Sequence, residues 1–283
     1  MFITSILDPV VMCTSLVSAM VFVSWFSFWH KTELARNEKE RAYVCTLLSS
    51  SITSTCSLPL VYELLSNGGD LSALLVYRTW TVVATTFFMT FLIMDLCIGV
   101  FFYKNKIDML TGWIHHLTYL ITLTWAIHHQ YSAVFIMMCV LEIPTFVLAL
   151  GSVRSHLRRD YIFAGTFLLT RIFFHAYAIS CAWKLNPFGP VVNALTFFFP
   201  AHCFWFYGFI KQQIRLMKTD PKITPTRTAP KKKQESVTQK PIKTTATIMM
   251  KKKKSPISEP RRRTNYLSYT TPSFHQSPPV SVH

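Results

Sequence analysis

TVVATTFFMTFLIMDLCIGV, residues 81–100, is an apolar run with a single ionisable group, Asp95. Its length suits a helix that crosses a hydrocarbon core of roughly 30 Å, which takes about 20 residues. Similar runs recur from Val10 to Ile210. They predict an all-α polytopic membrane protein with seven spans, at 9–29, 43–65, 80–103, 110–128, 131–151, 161–183 and 190–210. Short connections between them imply a compact bundle. Composition agrees: 51% of residues are hydrophobic, 15% are charged and 23 are Phe, which excludes an ordinary soluble domain. Pro59, Pro144 and Pro200 fall inside spans and are expected to kink or break them locally. The first run follows Asp8-Pro9 with no basic residue before it, so it reads as a retained helix and not a cleaved signal.

Charge divides the chain. The formal net charge is +16, and from Lys211 onward 17 Lys and Arg face only Asp220, Glu235 and Glu259. The stretch 216–283, with basic runs at 231–233, 251–254 and 261–263, cannot bury a core and is expected to be a disordered basic tail. Residues 1–34 hold the first span and the start of a loop, and 35–215 hold the remaining spans. The first, third and fifth loops carry nine basic residues, against Arg78 and Lys184 in the second and sixth. Positive charge marks the cytosolic side. The N-terminus is therefore expected outside or in a lumen, with the tail in the cytosol, where it would meet anionic lipid headgroups. Nucleic acid is not an expected partner for a tethered tail without interleaved aromatics.

The fourth span is the most polar. It carries Gly112-Trp113-Ile114-His115-His116 and four threonines. On an α-helix, Thr111, His115, Thr118 and Thr122 form one stripe, with His116 about 100° round from it. Ionisable groups at bilayer depth are costly, and they face an interior cavity, pair with one another or do chemistry. Neutral imidazole is a usable base near neutral pH, and a carboxylate beside it can fix its tautomer. Asp95 and Glu142 are the candidate carboxylates, and Arg171, in the sixth span, needs one of them as a partner. His175, four residues on, is expected on the same helical face as Arg171. His202 follows Pro200 and could face the cavity, but nothing near it in the sequence suggests a role.

Adjacent histidines point too far apart to chelate one ion readily. The seven cysteines lie in apolar runs without a C-x-x-C pair. No metal and no disulfide framework are therefore expected.

The order of these residues resembles a known family. Phe91-Leu92-Ile93-Met94-Asp95-Leu96 precedes a short basic loop, and His115-His116 with Thr118 follows it. Next come Leu141-Glu142-Ile143-Pro144-Thr145-Phe146 and Leu169-Thr170-Arg171-Ile172 with His175. Over roughly 35–215 the set is similar to the TLC domain, shared by ceramide synthases and by other lipid-linked membrane proteins. The resemblance implies a bundle around a polar cavity lined by Thr118, Glu142, Arg171 and His175. It also implies catalytic roles for His115, His116 and Asp95 if the chain is an enzyme. Ceramide synthases carry a further segment with a His-Asp pair and another Asp, whereas 131–150 here has Glu142 and neither. That departure points to the branch that binds or regulates membrane lipids. The alternative is an N-acyltransferase using acyl-CoA as co-substrate and a sphingoid base. No other cofactor is expected. Membrane lipids are the expected partners, a homo-oligomer is compatible with the sequence, and the resemblance suggests the endoplasmic reticulum or another endomembrane.

Overall fold

The computed structural model describes residues 8–219, with the backbone alone at Thr111 and 218–219. The expected tail lies outside the described residues, except that 216–219 continue the last helix. The chain divides into two units, Met1–Lys211 and Gln212–His283, and the site lies wholly in the first.

All regular structure among the described residues is helical. Helix α1 spans Pro9–Lys31, the short α2 Glu38–Arg41, α3 Val44–Ser66 and α4 Thr79–Phe102. A π-helical turn, Met109–Ile114, leads into α5, His115–His128. Helix α6, Ser132–Met138, is joined by a 3-10 turn, Cys139–Glu142, to α7, Ile143–Val153. Helix α8, Asp160–Phe167, passes through a second π turn, Leu168–Phe174, into α9, His175–Leu185. Helix α10 spans Pro190–Thr219.

Five helical stretches are long and apolar enough to cross a membrane: Pro9–Lys31, Glu38–Ser66, Thr79–Phe102, Ser132–Val153 and Asp160–Leu185. The stretches of α5 and α10, expected as the fourth and seventh spans, are not among them. The prolines behave differently from one another. Pro59 and Pro200 lie within continuous helices, whereas Pro144 opens α7 just after the 3-10 turn. The ring at Pro144 cannot donate a backbone hydrogen bond, which suits the first turn of a helix.

Helix α3 packs against α4, α6 and α7. It can do so closely because the facing residues are small: Ser49, Ser50, Thr53 and Ser57 are all buried. The Thr53 hydroxyl donates to Ser49 O at 2.8 Å and the Ser57 hydroxyl to Ser54 O at 2.6 Å. Of the four, only the Ser49 hydroxyl has no partner among the described residues, and small residues of this kind let backbones approach where the surroundings are as apolar as the core. Helix α1 packs on α4 through Phe22, which is fully buried against Phe87 and Phe91. Outward positions are apolar too: Leu16, Phe101, Ile121 and Leu169 are all exposed.

Basic loops tie the helix ends together. Arg154 Nη1 donates to Leu34 O at 2.9 Å, and its guanidinium stacks 4.8 Å from the Trp29 ring. At the opposite ends of the helices, Arg78 grips Glu63 with two hydrogen bonds of 2.7 and 2.6 Å.

Candidate functional site

Two cavities lie among the helices, and they share Phe88, Tyr119, Glu142 and His202. The polar one, of about 180 Å³, is bordered by Asp95, His115, His116, Glu142, Arg171 and His202. These side chains come from α4, α5, the 3-10 turn, the second π turn and α10.

Asp95 sits two turns before the end of α4. The Tyr103 hydroxyl reaches back from just past that end and donates to Asp95 Oδ1 at 2.8 Å. The chain then enters the first π turn, where Trp113 N–H donates to Asp108 O, five residues back, at 3.2 Å. Gly112 makes this turn feasible, since a Cβ there would meet Ile107 Cγ2 at 2.6 Å. Isolated π turns within helices recur at functional sites.

The turn brings His116 Nδ1 to 2.7 Å from Gly112 O. A carbonyl only accepts, so Nδ1 carries the hydrogen. A neutral ring then presents a lone pair at Nε2. That atom is buried, 3.3 Å from Asp95 Oδ2, and forms no aligned hydrogen bond. In the neutral ring these two acceptors face each other until a proton or a donor from a bound molecule comes between them, and in the protonated ring they form an ion pair. His115 is half-buried, and its contacts are aromatic, with Tyr119 at 4.6 Å and Trp205 at 5.8 Å between ring centroids.

Arg171 takes Glu142 as its acidic partner. Its Nη2 lies 3.3 Å from Glu142 Oε1 and donates to Thr145 Oγ1 at 2.8 Å, while Nε donates to Leu141 O at 2.9 Å. The acceptors come from the 3-10 turn before Pro144 and the first turn after it. The break in that helix, which Pro144 signals in the sequence, therefore presents a carbonyl and a carboxylate to the arginine. Phe167 covers the guanidinium at 5.3 Å.

The second cavity, of about 110 Å³, is mostly apolar, with Leu123, Ala126, Val134, Phe135 and Phe198 in its wall. His175 borders it and does not border the polar cavity. His175 Nε2 lies 3.0 Å from Leu195 O, and its Nδ1 lies 3.0 Å from His202 Nδ1.

No family model, no curated protein and no solved structure matches this chain.

Of the residues singled out from sequence, Asp95, His115, His116, Glu142 and Arg171 meet on one cavity. Thr118 borders neither cavity, and its carbonyl accepts from the Thr122 hydroxyl at 2.9 Å. Thr122 lines the apolar cavity, so the stripe expected on one face divides between environments. The side chain of Thr111 lies outside the described residues, and its backbone belongs to the π turn, where α-helical spacing does not hold. The second π turn has a similar effect: Arg171 lies within it and His175 just beyond, so the two border different cavities. His202, to which sequence gave no role, borders both cavities and bonds His175. Its nearest sequence signal is Pro200, which lies within the continuous last helix.

Proposed function

We propose that this chain is a multi-pass membrane protein of TLC type that binds or regulates membrane lipids and so serves lipid homeostasis. It spans the membrane seven times around the polar cavity. Helices α5 and α10 add to the five apolar spans, and their polar residues are tolerated because they face the interior. The N-terminus is lumenal, the basic tail meets anionic headgroups in the cytosol, and the membrane is that of the endoplasmic reticulum or a related compartment.

One observation carries this reading: carboxylates, imidazoles and a guanidinium from separate helices border a single cavity that shares four wall residues with an apolar one. A polar chamber beside an apolar chamber suits an amphiphile, with the head in one and the chain in the other. Asp95 and His116 lie toward the helix ends that carry the basic loops, so the head would sit nearer the cytosol. The test is lipid mass spectrometry on cells with and without the protein. A shift in phospholipid acyl composition or sphingolipid level is expected, and an unchanged lipid profile contradicts the proposal.

A second reading is favoured by the Asp95–His116 pair, 3.3 Å apart. In an N-acyltransferase, His116 Nε2 takes a proton from a sphingoid amine as its nitrogen attacks the thioester carbonyl of acyl-CoA. The C–S bond breaks, and the imidazolium, held by Asp95, returns the proton to the departing thiolate. Purified protein should then release CoA, and His116→Ala should stop it. Absence of turnover with every acyl-CoA and long-chain base tried removes this reading and leaves lipid binding intact.

A further inference from the structure

Several side chains on the polar cavity carry hydrogens that no acceptor takes among the described residues. The Tyr119 hydroxyl and the Trp205 indole N–H form no hydrogen bond there. Arg171 commits Nε and Nη2 to Leu141, Glu142 and Thr145, and its Nη1 has no acceptor. The neutral His115 ring holds one further N–H in either tautomer. These groups are neighbours. Ring centroids lie 4.6 Å apart for Tyr119 and His115 and 5.8 Å apart for His115 and Trp205, and Arg171 Cζ lies 6.0 Å from the Trp205 ring. Inside a membrane bundle a donor without an acceptor is costly, and a group of them calls for a partner.

Tyr119 is the member of this set that also borders the apolar cavity. Its ring is held between His115 and Phe198, the latter 4.8 Å away between centroids. An acceptor bound to Tyr119 therefore stands where the two chambers meet. The set also carries no surplus charge, because Glu142 lies 3.3 Å from the Arg171 guanidinium. Donors of this kind suit a neutral acceptor at the head of an apolar chain.

We infer that Tyr119, with Trp205 and Arg171 Nη1, binds the carbonyl oxygen of an acyl ester or amide, whose chain enters the apolar cavity and whose other side faces Asp95 and His116. The inference rests on the lipid-binding reading above and names the group by which the lipid is held. The acidic pair is then left to meet whatever the carbonyl carbon is bonded to.

The test uses the full chain in nanodiscs and three single-chain probes. Methyl palmitate and hexadecyl methyl ether are both neutral and differ only in the carbonyl oxygen, and palmitate carries a charge. Binding of the ester about tenfold tighter than of the ether is expected, on the scale of one or two hydrogen bonds. Because the Tyr119 hydroxyl bonds no protein group, Tyr119→Phe should leave stability unchanged, cost the ester about five- to tenfold and leave the ether as it was. Trp205→Phe should act the same way with a smaller loss. Equal binding of ester and ether, or tightest binding of palmitate, overturns the inference while lipid binding stands. No binding of any probe removes both. An ester preference that survives Tyr119→Phe intact overturns the place given to Tyr119. Infrared spectra of carbonyl-13C methyl palmitate on the wild-type protein give a readout that needs no substitution. The bound carbonyl should absorb at lower frequency than the same ester dissolved in the bilayer, and an unshifted band contradicts the inference.

Discussion

The two cavities share Phe88, Tyr119, Glu142 and His202, yet the rest of their walls are built on different rules. Around the apolar cavity, shape decides. Val134 and Leu123 are buried among other hydrocarbon side chains, and regular helix carries most of the wall. Around the polar cavity, direction decides. Ionisable side chains border it, and its wall includes residues from a π turn and a 3-10 turn. The comparison teaches that a membrane protein can hold carboxylates and a guanidinium at depth when helix irregularities turn backbone carbonyls toward them.

The largest expected effect breaks the polar side. Arg171→Met leaves the Glu142 carboxylate without its cation, which should cost about 3 kcal/mol of stability. A denaturant titration in mild detergent measures it. Glu142→Gln added to Arg171→Met should recover most of the loss, since a neutral pair carries no orphan charge. Similar instability in the double variant would mean that Arg171 acts by packing alone.

The next effect breaks the apolar side. Leu123 is almost fully buried there, and Leu123→Ala should cost about 2–3 kcal/mol through lost contacts and an enlarged void. Leu123→Met, of similar volume, should cost less than about 1.5 kcal/mol. Equal losses from both would argue against a packing origin.

Asp95→Asn sharpens the comparison by reversing the usual sign. An amide nitrogen can donate to the His116 lone pair that the carboxylate only faces, so this substitution should be neutral or stabilise by up to about 1 kcal/mol. Asp95→Ala, which leaves the Tyr103 hydroxyl only the backbone carbonyl of residue 95 at 3.1 Å, should destabilise by about 1 kcal/mol. A strongly destabilised Asp95→Asn would mean that His116 is held as an imidazolium.

Outside both cavities the effects are smallest. Arg78→Ala opens the two-pronged contact with Glu63, and because that pair is partly exposed the loss should be no more than about 1 kcal/mol. The exposed Asp70 is held below the ordinary carboxylate range, first by the Ser72 backbone N–H and then by its hydroxyl. A depressed folded value means that its contribution is complete above the unfolded value of about 3.9 and fades as pH falls through the lower folded one. Thermal melts should therefore show no Asp70→Asn difference that grows between neutral pH and about pH 5, and any difference should shrink only in stronger acid.

Legibility in the sequence followed the same divide. The helices with long apolar runs were readable because period and length carry that signal. That Arg171 needs a carboxylate was readable from the cost of a lone charge at depth, but the choice of Glu142 over Asp95 was not. The division of Thr118 from Thr122 was not, because it depends on packing around the helix. The separation of Arg171 from His175 was hidden for another reason: π turns change the angular step, and no residue in 168–174 announces one. His202 escaped because its importance lies in a ring nitrogen facing His175 across 27 positions of sequence.

The most direct test of the central claim is native mass spectrometry of the purified chain beside Ala194→Phe, which puts a ring into the apolar cavity. A lipid-sized adduct on the wild-type protein, lost from a variant of unchanged stability, is the predicted result. The same adduct on both proteins, or none on either, contradicts the claim that these adjoining cavities hold a lipid.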